Sequence, residues 1–295
     1  MNEARLSTGR GHLFKFWSKS WTLVCILLVV TGICISGLDL FGDGRPEGGV
    51  SQLKDFAGAA FRPTMTSESD GLTNLWPGLL EAIETTIAVA FAAMSLAIVG
   101  GFVLGCLASE AFWETDFVIT EDRRLRFSRK VLRPFILLSV RSFMGLMRSV
   151  HELFWATLGV AIFGLSVTCG ILALAIPYAA TLGRIYAELI DETERDSAQA
   201  LRDCGGSSLG VFAFGLLPRA ASSMLSYTFY RFDCALRSSA ILGFIGFPTL
   251  GLSIRNAVRY DYYHEAWTYL YILFFILIAT EVVSGLMRRR IAAWR

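Results

Sequence analysis

The chain has 295 residues, of which 54% are apolar or aromatic and 18% charged, with a formal net charge of +2. That is below the roughly 25% charged residues of a soluble globular domain, and no basic stripe marks a nucleic-acid surface. The six cysteines (Cys25, Cys34, Cys106, Cys169, Cys204, Cys234) include no Cys-x-x-Cys pair and mostly fall in or near apolar runs. They read as small buried apolar residues rather than a disulfide framework or a metal site.

The placement of charge says more than its amount. Residues 20–38, 85–109, 153–183 and 266–280 carry no charge. About 20 apolar residues at 1.5 Å each cross the ~30 Å hydrocarbon core, so several such runs indicate an all-α integral membrane protein. We read six spans at about 20–38, 80–107, 137–164, 166–189, 213–240 and 264–286. The first follows Arg5, Arg10, Lys15 and Lys19 like a signal n-region. It is long, however, and no small-x-small cleavage site follows, so it reads as a retained helix. Residues 1–19 are then an N-terminal segment, and 39–78 a Gly- and polar-rich segment with a short interfacial helix near Gln52 to Phe61. The uncharged stretch 153–183 is too long for one span and too short for two. The third span must begin upstream, with a turn at Gly164-Leu165-Ser166.

Basic residues set the orientation. The N-terminal flank has four, the 108–135 loop has Arg123, Arg124, Arg126, Arg129, Lys130 and Arg133, and the tail has Arg288, Arg289, Arg290 and Arg295. With six spans these three regions share one side, which places both termini and residues 190–212 in the cytoplasm. The core is 79–290; there is no second soluble domain and no internal repeat.

Within 192–212, Ala198 and Leu201 recur at helical spacing beside Arg202. Gly205-Gly206 ends that helix, Ser207 or Ser208 caps the next, and Leu216-Leu217-Pro218 enters the membrane. The expected product is a rigid knob of two short helices on the cytoplasmic face.

The pattern Gln199-Ala200-Leu201 … Gly205 … Leu217-Pro218 resembles the coupling-loop signature of ABC-importer permeases. Residues 199–205, 214–218, 225–233, 237–246 and 148–155 resemble the phosphonate-transporter permeases within that family, over about 75–290. The resemblance implies a type I ABC-importer permease-like fold of about six helices in the bacterial inner membrane. It implies a permease homodimer, two copies of an ABC ATPase subunit docked on the 192–212 loops, and a periplasmic substrate-binding protein. The cargo would be a phosphonate or a relative such as phosphite, moved by alternating access. Gln199, Ala200, Leu201, Arg202, Gly205, Leu217 and Pro218 would couple the permease to the ATPase. Three positions depart from the family. Gln199 replaces a Glu, losing its charge. His151 replaces a Pro, removing the expected helix kink. Residues 246–251 replace a more Gly-rich run.

Ionisable residues inside spans are functional hypotheses by default. Arg148 and Glu152 are four apart, as are Asp233 and Arg237 and, nearer the cytoplasm, Arg184 and Glu188, so each pair is expected on one helix face. Arg148, Glu152, Asp233 and Arg237, with Arg231, are candidates for the translocation path, because guanidinium suits tetrahedral oxyanions. The competing reading makes them structural ion pairs or snorkelling side chains. Tyr260, Tyr262, Tyr263, Trp267, Tyr269 and Tyr271 read as an interfacial belt.

Gly206-Ser207-Ser208-Leu209-Gly210 matches the nucleophile-elbow pattern, but it falls between two predicted helices with no histidine nearby in sequence. A Walker-type phosphate loop and a zinc motif are both missing from the sequence. The chain is therefore expected to bind no cofactor and catalyse no reaction, with ATP and Mg²⁺ on the separate ATPase. A membrane-embedded enzyme lacks a catalytic constellation here. An ion-coupled secondary transporter, which would predict an inverted repeat, is the alternative, as is an ABC permease for another small anion such as phosphate or sulfonate.

Overall fold

The computed structural model describes residues 26–32, 49–66, 75–115 and 123–292. Contacts divide the chain into two units, Met1–Gly58 and Ala59–Arg295. The first holds helix α1 (26–32), which lies inside the predicted first span, and most of α2 (Gly49–Ala59), the short helix expected near Gln52 to Phe61. The remainder of that first span and the basic N-terminal flank lie outside the described residues.

The second unit is built on α3 (Trp76–Ala108) and α7 (Val167–Asp191). Pro77 sits in the first turn of α3, where a missing N–H costs nothing. Ala93, Ala97, Gly101 and Gly105 recur every four residues along α3 and all are buried. This stripe of small residues faces α7. A Cβ on Gly101 would lie 2.7 Å from the Leu182 Cβ, and one on Gly183 would lie 2.9 Å from the Leu104 Cβ. The backbones thus meet where side chains are absent, which is how helices gain contact when lipid offers no hydrophobic drive.

Four helices among the described residues are long and apolar enough to cross a membrane: Trp76–Ala108, Val167–Asp191, Ser208–Phe244 and Tyr263–Ile291. They correspond to the predicted spans at 80–107, 166–189, 213–240 and 264–286. The third predicted span, 137–164, is not one helix. The structure has α5 (Arg123–Ser149) and α6 (Glu152–Phe163), separated at Val150 and His151. Twelve residues at 1.5 Å each make α6 too short to span the core. The kink expected to vanish with the proline is present, made by other means. His151 is extended (φ −65, ψ 143) and its Nδ1 accepts the Leu153 N–H at 3.2 Å. The imidazole satisfies an N–H that a helix start leaves free, and Glu152 adds a favourable charge in the first turn. The turn at 164–166 lies where it was predicted, with the Ser166 Oγ accepting the Cys169 N–H at the start of α7.

After α7 come α8 (Asp196–Asp203), α9 (Ser208–Gly210), a π-helical turn (Val211–Leu216) and α10 (Leu217–Ile241). The widened turn directly precedes Pro218, whose ring would clash with the Phe214 carbonyl in a regular α-helix. The chain closes with α11 (Leu250–Arg259) and α12 (Tyr263–Ala292). The start of α12 holds an extended segment: the Thr268 Oγ1 donates to the Thr64 carbonyl and the Tyr271 OH to that of Ala60, at 2.7 and 2.8 Å. Phe275 and Ile278 further along are 74% and 61% exposed, a face suited to hydrocarbon.

Candidate functional site

Two regions gather the residues singled out from the sequence. The first is the knob formed by α8 and its turn. Asp196 opens α8 and Arg202 lies in its last turn, both favourable for the helix dipole. Ala198 is buried, and its Cα lies 3.0 Å from where a Cβ on Gly215 would stand. Leu201 packs beside it on the core. These apolar contacts hold α8 flat against the π-helical turn.

A paired hydrogen bond stops α8. The Gly205 N–H donates to the Arg202 carbonyl at 2.9 Å, and the Gly206 N–H to that of Leu201 at 3.0 Å. This Schellman arrangement needs a left-handed residue between helix and exit, and Gly205 has φ +81. Ser207 then caps α9, its Oγ accepting the Gly210 N–H at 3.3 Å. The hydroxyl is thus used in a helix cap between two helices, without the strand a nucleophile elbow requires. Gln199, Ala200, Arg202 and Gly205 are exposed on the outer surface of the knob; Leu217 packs into the core, and Pro218 is exposed beside Arg219.

The second region is a cavity of about 410 Å³ between α5, α6, α7 and α10, lined by Arg148, Glu152, Tyr178, Arg231, Arg237 and Ser238 among others. Arg148 lies in the last turn of α5 and Glu152 begins α6, so the helix break separates two residues that four-residue spacing assigned to one helix face. Both nonetheless reach the same cavity. The Glu152 Oε1 accepts from the Ser238 Oγ at 2.6 Å, and the Tyr178 OH lies 3.0 Å from that Oγ. The Arg231 Nε donates to the Tyr227 OH at 2.8 Å, with the guanidinium 5.5 Å from the ring centre. Arg148 and Arg237 have no carboxylate within ion-pair distance among the described residues. Asp233 does not line this cavity. It is buried on the other side of α10, where it accepts from the Ser284 Oγ of α12 at 2.9 Å.

A family model described as the binding-protein-dependent transport system inner membrane component matches residues 118–294. The chain belongs to this family of ABC-importer permeases. Relatives of the permease include the phosphate-import permease protein PhnE of Mycolicibacterium smegmatis, 28% identical over 53% of this chain. The phosphite transport system permease protein PtxC of Stutzerimonas stutzeri is 24% identical, also over 53%. The chain spans only 29% and 57% of these relatives' own lengths. Among solved structures, a chain of the inward-facing MetNI methionine ABC transporter superposes with a TM-score of 0.60 at 17% identity. It covers 77% of this chain and 99% of that one, and establishes the fold. A chain of an amino acid ABC transporter gives 0.57 at 21% identity, over 72% and 94%.

The structure of the permease also shows a group that sequence reading missed. Asp191, the last residue of α7, accepts from the Ser109 Oγ (2.6 Å) and the Ala111 N–H (2.9 Å) at Oδ1, and from the Glu110 N–H (3.1 Å) at Oδ2. It thereby caps α4 (Glu110–Thr115), which leaves the end of α3. Arg141 of α5 donates to the Ala108 carbonyl at 2.9 Å, pairs with Glu110 at 3.0 Å and lies 3.7 Å from Asp191. Three long helices are thus tied together at the residue where the chain leaves for the knob. The only sequence signal was an acidic residue just past the end of the span predicted at 166–189. Arg184 and Glu188 do pair as their spacing predicts, at 2.8 Å, but on the surface.

Proposed function

We propose that the permease moves a small phosphorus oxyanion, a phosphonate or phosphite, through the cavity lined by Arg148, Arg231 and Arg237. That cavity carries the reading: three guanidinium groups converge there against a single carboxylate, and guanidinium donors match tetrahedral oxyanions. The relatives named for phosphate and phosphite import support the class of cargo. In this reading the outer surface of α8 docks on a separate ATPase subunit, which binds ATP and its Mg²⁺. Two permease copies form the route with two ATPases below, and a periplasmic binding protein delivers the cargo. Both termini lie in the cytoplasm of a bacterial cell. ATP binding closes the ATPase pair, pulls on the 192–212 loops and rocks the helices between outward and inward access.

Membrane vesicles holding the permease with its ATPase and binding protein are expected to accumulate phosphite only when ATP is supplied. Accumulation driven by a proton or sodium gradient without ATP would instead support a secondary transporter.

A further inference from the structure

The cavity holds one feature that an arginine-lined route for anions does not require, a carboxylate with an open acceptor. Glu152 sits among three guanidinium groups yet makes no ion pair with any of them. Its hydrogen bonding runs in one direction. Ser238 has a single hydroxyl proton and gives it to the Glu152 Oε1 at 2.6 Å. The Tyr178 hydroxyl, 3.0 Å from the Ser238 Oγ, must then be the donor in that pair. The chain Tyr178 to Ser238 to Glu152 therefore holds Oε1 as an acceptor. The other oxygen, Oε2, receives no hydrogen bond among the described residues. Its near neighbour is the His151 Nδ1 at 3.8 Å, and that nitrogen already accepts the Leu153 N–H, so it has no proton to offer.

The guanidinium groups can only donate, whereas Oε2 can only accept. A ligand that satisfies both must present bare anionic oxygens to the arginines and a hydroxyl proton to Glu152. We propose that Glu152 is a specificity-determining residue of this cavity, selecting tetrahedral oxyanions that carry an acidic hydroxyl. Monoanionic phosphonates and hydrogen phosphite have that hydroxyl. Sulfate and sulfonates have none at neutral pH, and against them the Glu152 carboxylate faces a bare oxygen at close range. An unmatched acceptor in such a site is what lets proteins reject near-isosteric ligands. This inference rests on the cavity being the anion route.

Cys234 lines the same cavity and reports its occupancy without a binding protein. The permease–ATPase complex in lipid is treated with methyl methanethiosulfonate, a small neutral thiol reagent, and labelling of Cys234 is read by peptide mass spectrometry. Millimolar methylphosphonate or phosphite is expected to slow labelling, and methanesulfonate or sulfate to do so about tenfold less effectively, the worth of one charge-assisted hydrogen bond. Glu152→Gln places an N–H donor where Oε2 was and is expected to let methanesulfonate protect as well as methylphosphonate. Ser238→Ala keeps the carboxylate and should keep the discrimination. Equal protection by methylphosphonate and methanesulfonate in the unaltered protein would overturn the role of Glu152 while leaving the anion route standing. If no anion in the panel protects Cys234, the route itself falls and this inference with it.

Discussion

Replacing Gly205 by valine perturbs the knob at one backbone position and almost nowhere else. Gly205 has φ +81, and a Cβ added to it would meet nothing within 4 Å. The penalty is therefore conformational rather than steric against neighbours. A left-handed L-residue costs about 1–2 kcal/mol, and a β-branched one falls at the upper end because it is a genuine outlier there. Two hydrogen bonds depend on that dihedral, from the Gly205 N–H to Arg202 and from the Gly206 N–H to Leu201. Helix α8 has only eight residues, fewer than the ~12–15 at which an isolated helix becomes even marginal. Its order rests on this cap and on Ala198 and Leu201. A loss of 1–2 kcal/mol shifts the population of the docked shape by about 5- to 30-fold. Gly205→Val is thus expected to insert normally, measured as yield from the membrane fraction, while ATP-driven uptake falls by that order. Gly205→Asn should keep most of the uptake, since asparagine visits the left-handed region routinely. Wild-type uptake by the valine variant, or equal impairment of the asparagine variant, would show that the left-handed cap at Gly205 does not hold the knob in its docking shape.

Asp191→Ala removes the acceptor for the Ser109 hydroxyl and two backbone N–H groups. A loss of about 2 kcal/mol or more is expected, read as a lower melting temperature of the purified complex. Gly101→Val sets a side chain against Leu182 at 2.7 Å, and overpacking of about 1–3 kcal/mol should lower the same transition. Arg237→Ala breaks no ion pair among the described residues, so it should leave the melting temperature unchanged while cutting oxyanion uptake about tenfold, the worth of one charged hydrogen bond. Asp233→Ala is expected to do the reverse. It leaves the buried Ser284 hydroxyl with only the longer bond to the Phe229 carbonyl, at 3.3 Å, at a cost of about 1 kcal/mol, but uptake per folded molecule should hold.

The membrane spans were legible because hydrocarbon tolerates so few charges that a run such as 85–109 has one reading. The knob was legible because Gly205-Gly206 and the cap at Ser207 are local features of the chain. The break between α5 and α6 was not. Hydropathy carries no record of an imidazole nitrogen accepting the Leu153 N–H, and the absence of proline pointed the other way. Four-residue spacing found Arg184 and Glu188 because their helix is continuous. It misled for Arg148 and Glu152, which lie on either side of the break, whereas Asp233 and Arg237 share the continuous helix α10. Asp233 turns to Ser284 while Arg237 lines the cavity. The Asp191 cap was illegible because its partners lie some eighty residues earlier, and only the close packing of α3 on α7 brings them together.

We propose that an ATPase on another chain drives a phosphorus oxyanion through this permease. The most direct measurement is the ATPase rate of the complex purified with its partners, in lipid with binding protein, across phosphonates, phosphite, phosphate and sulfonates. Stimulation by the phosphonate and phosphite class is the predicted result. The absence of a co-purifying ATPase, or a rate indifferent to the whole panel, would contradict it.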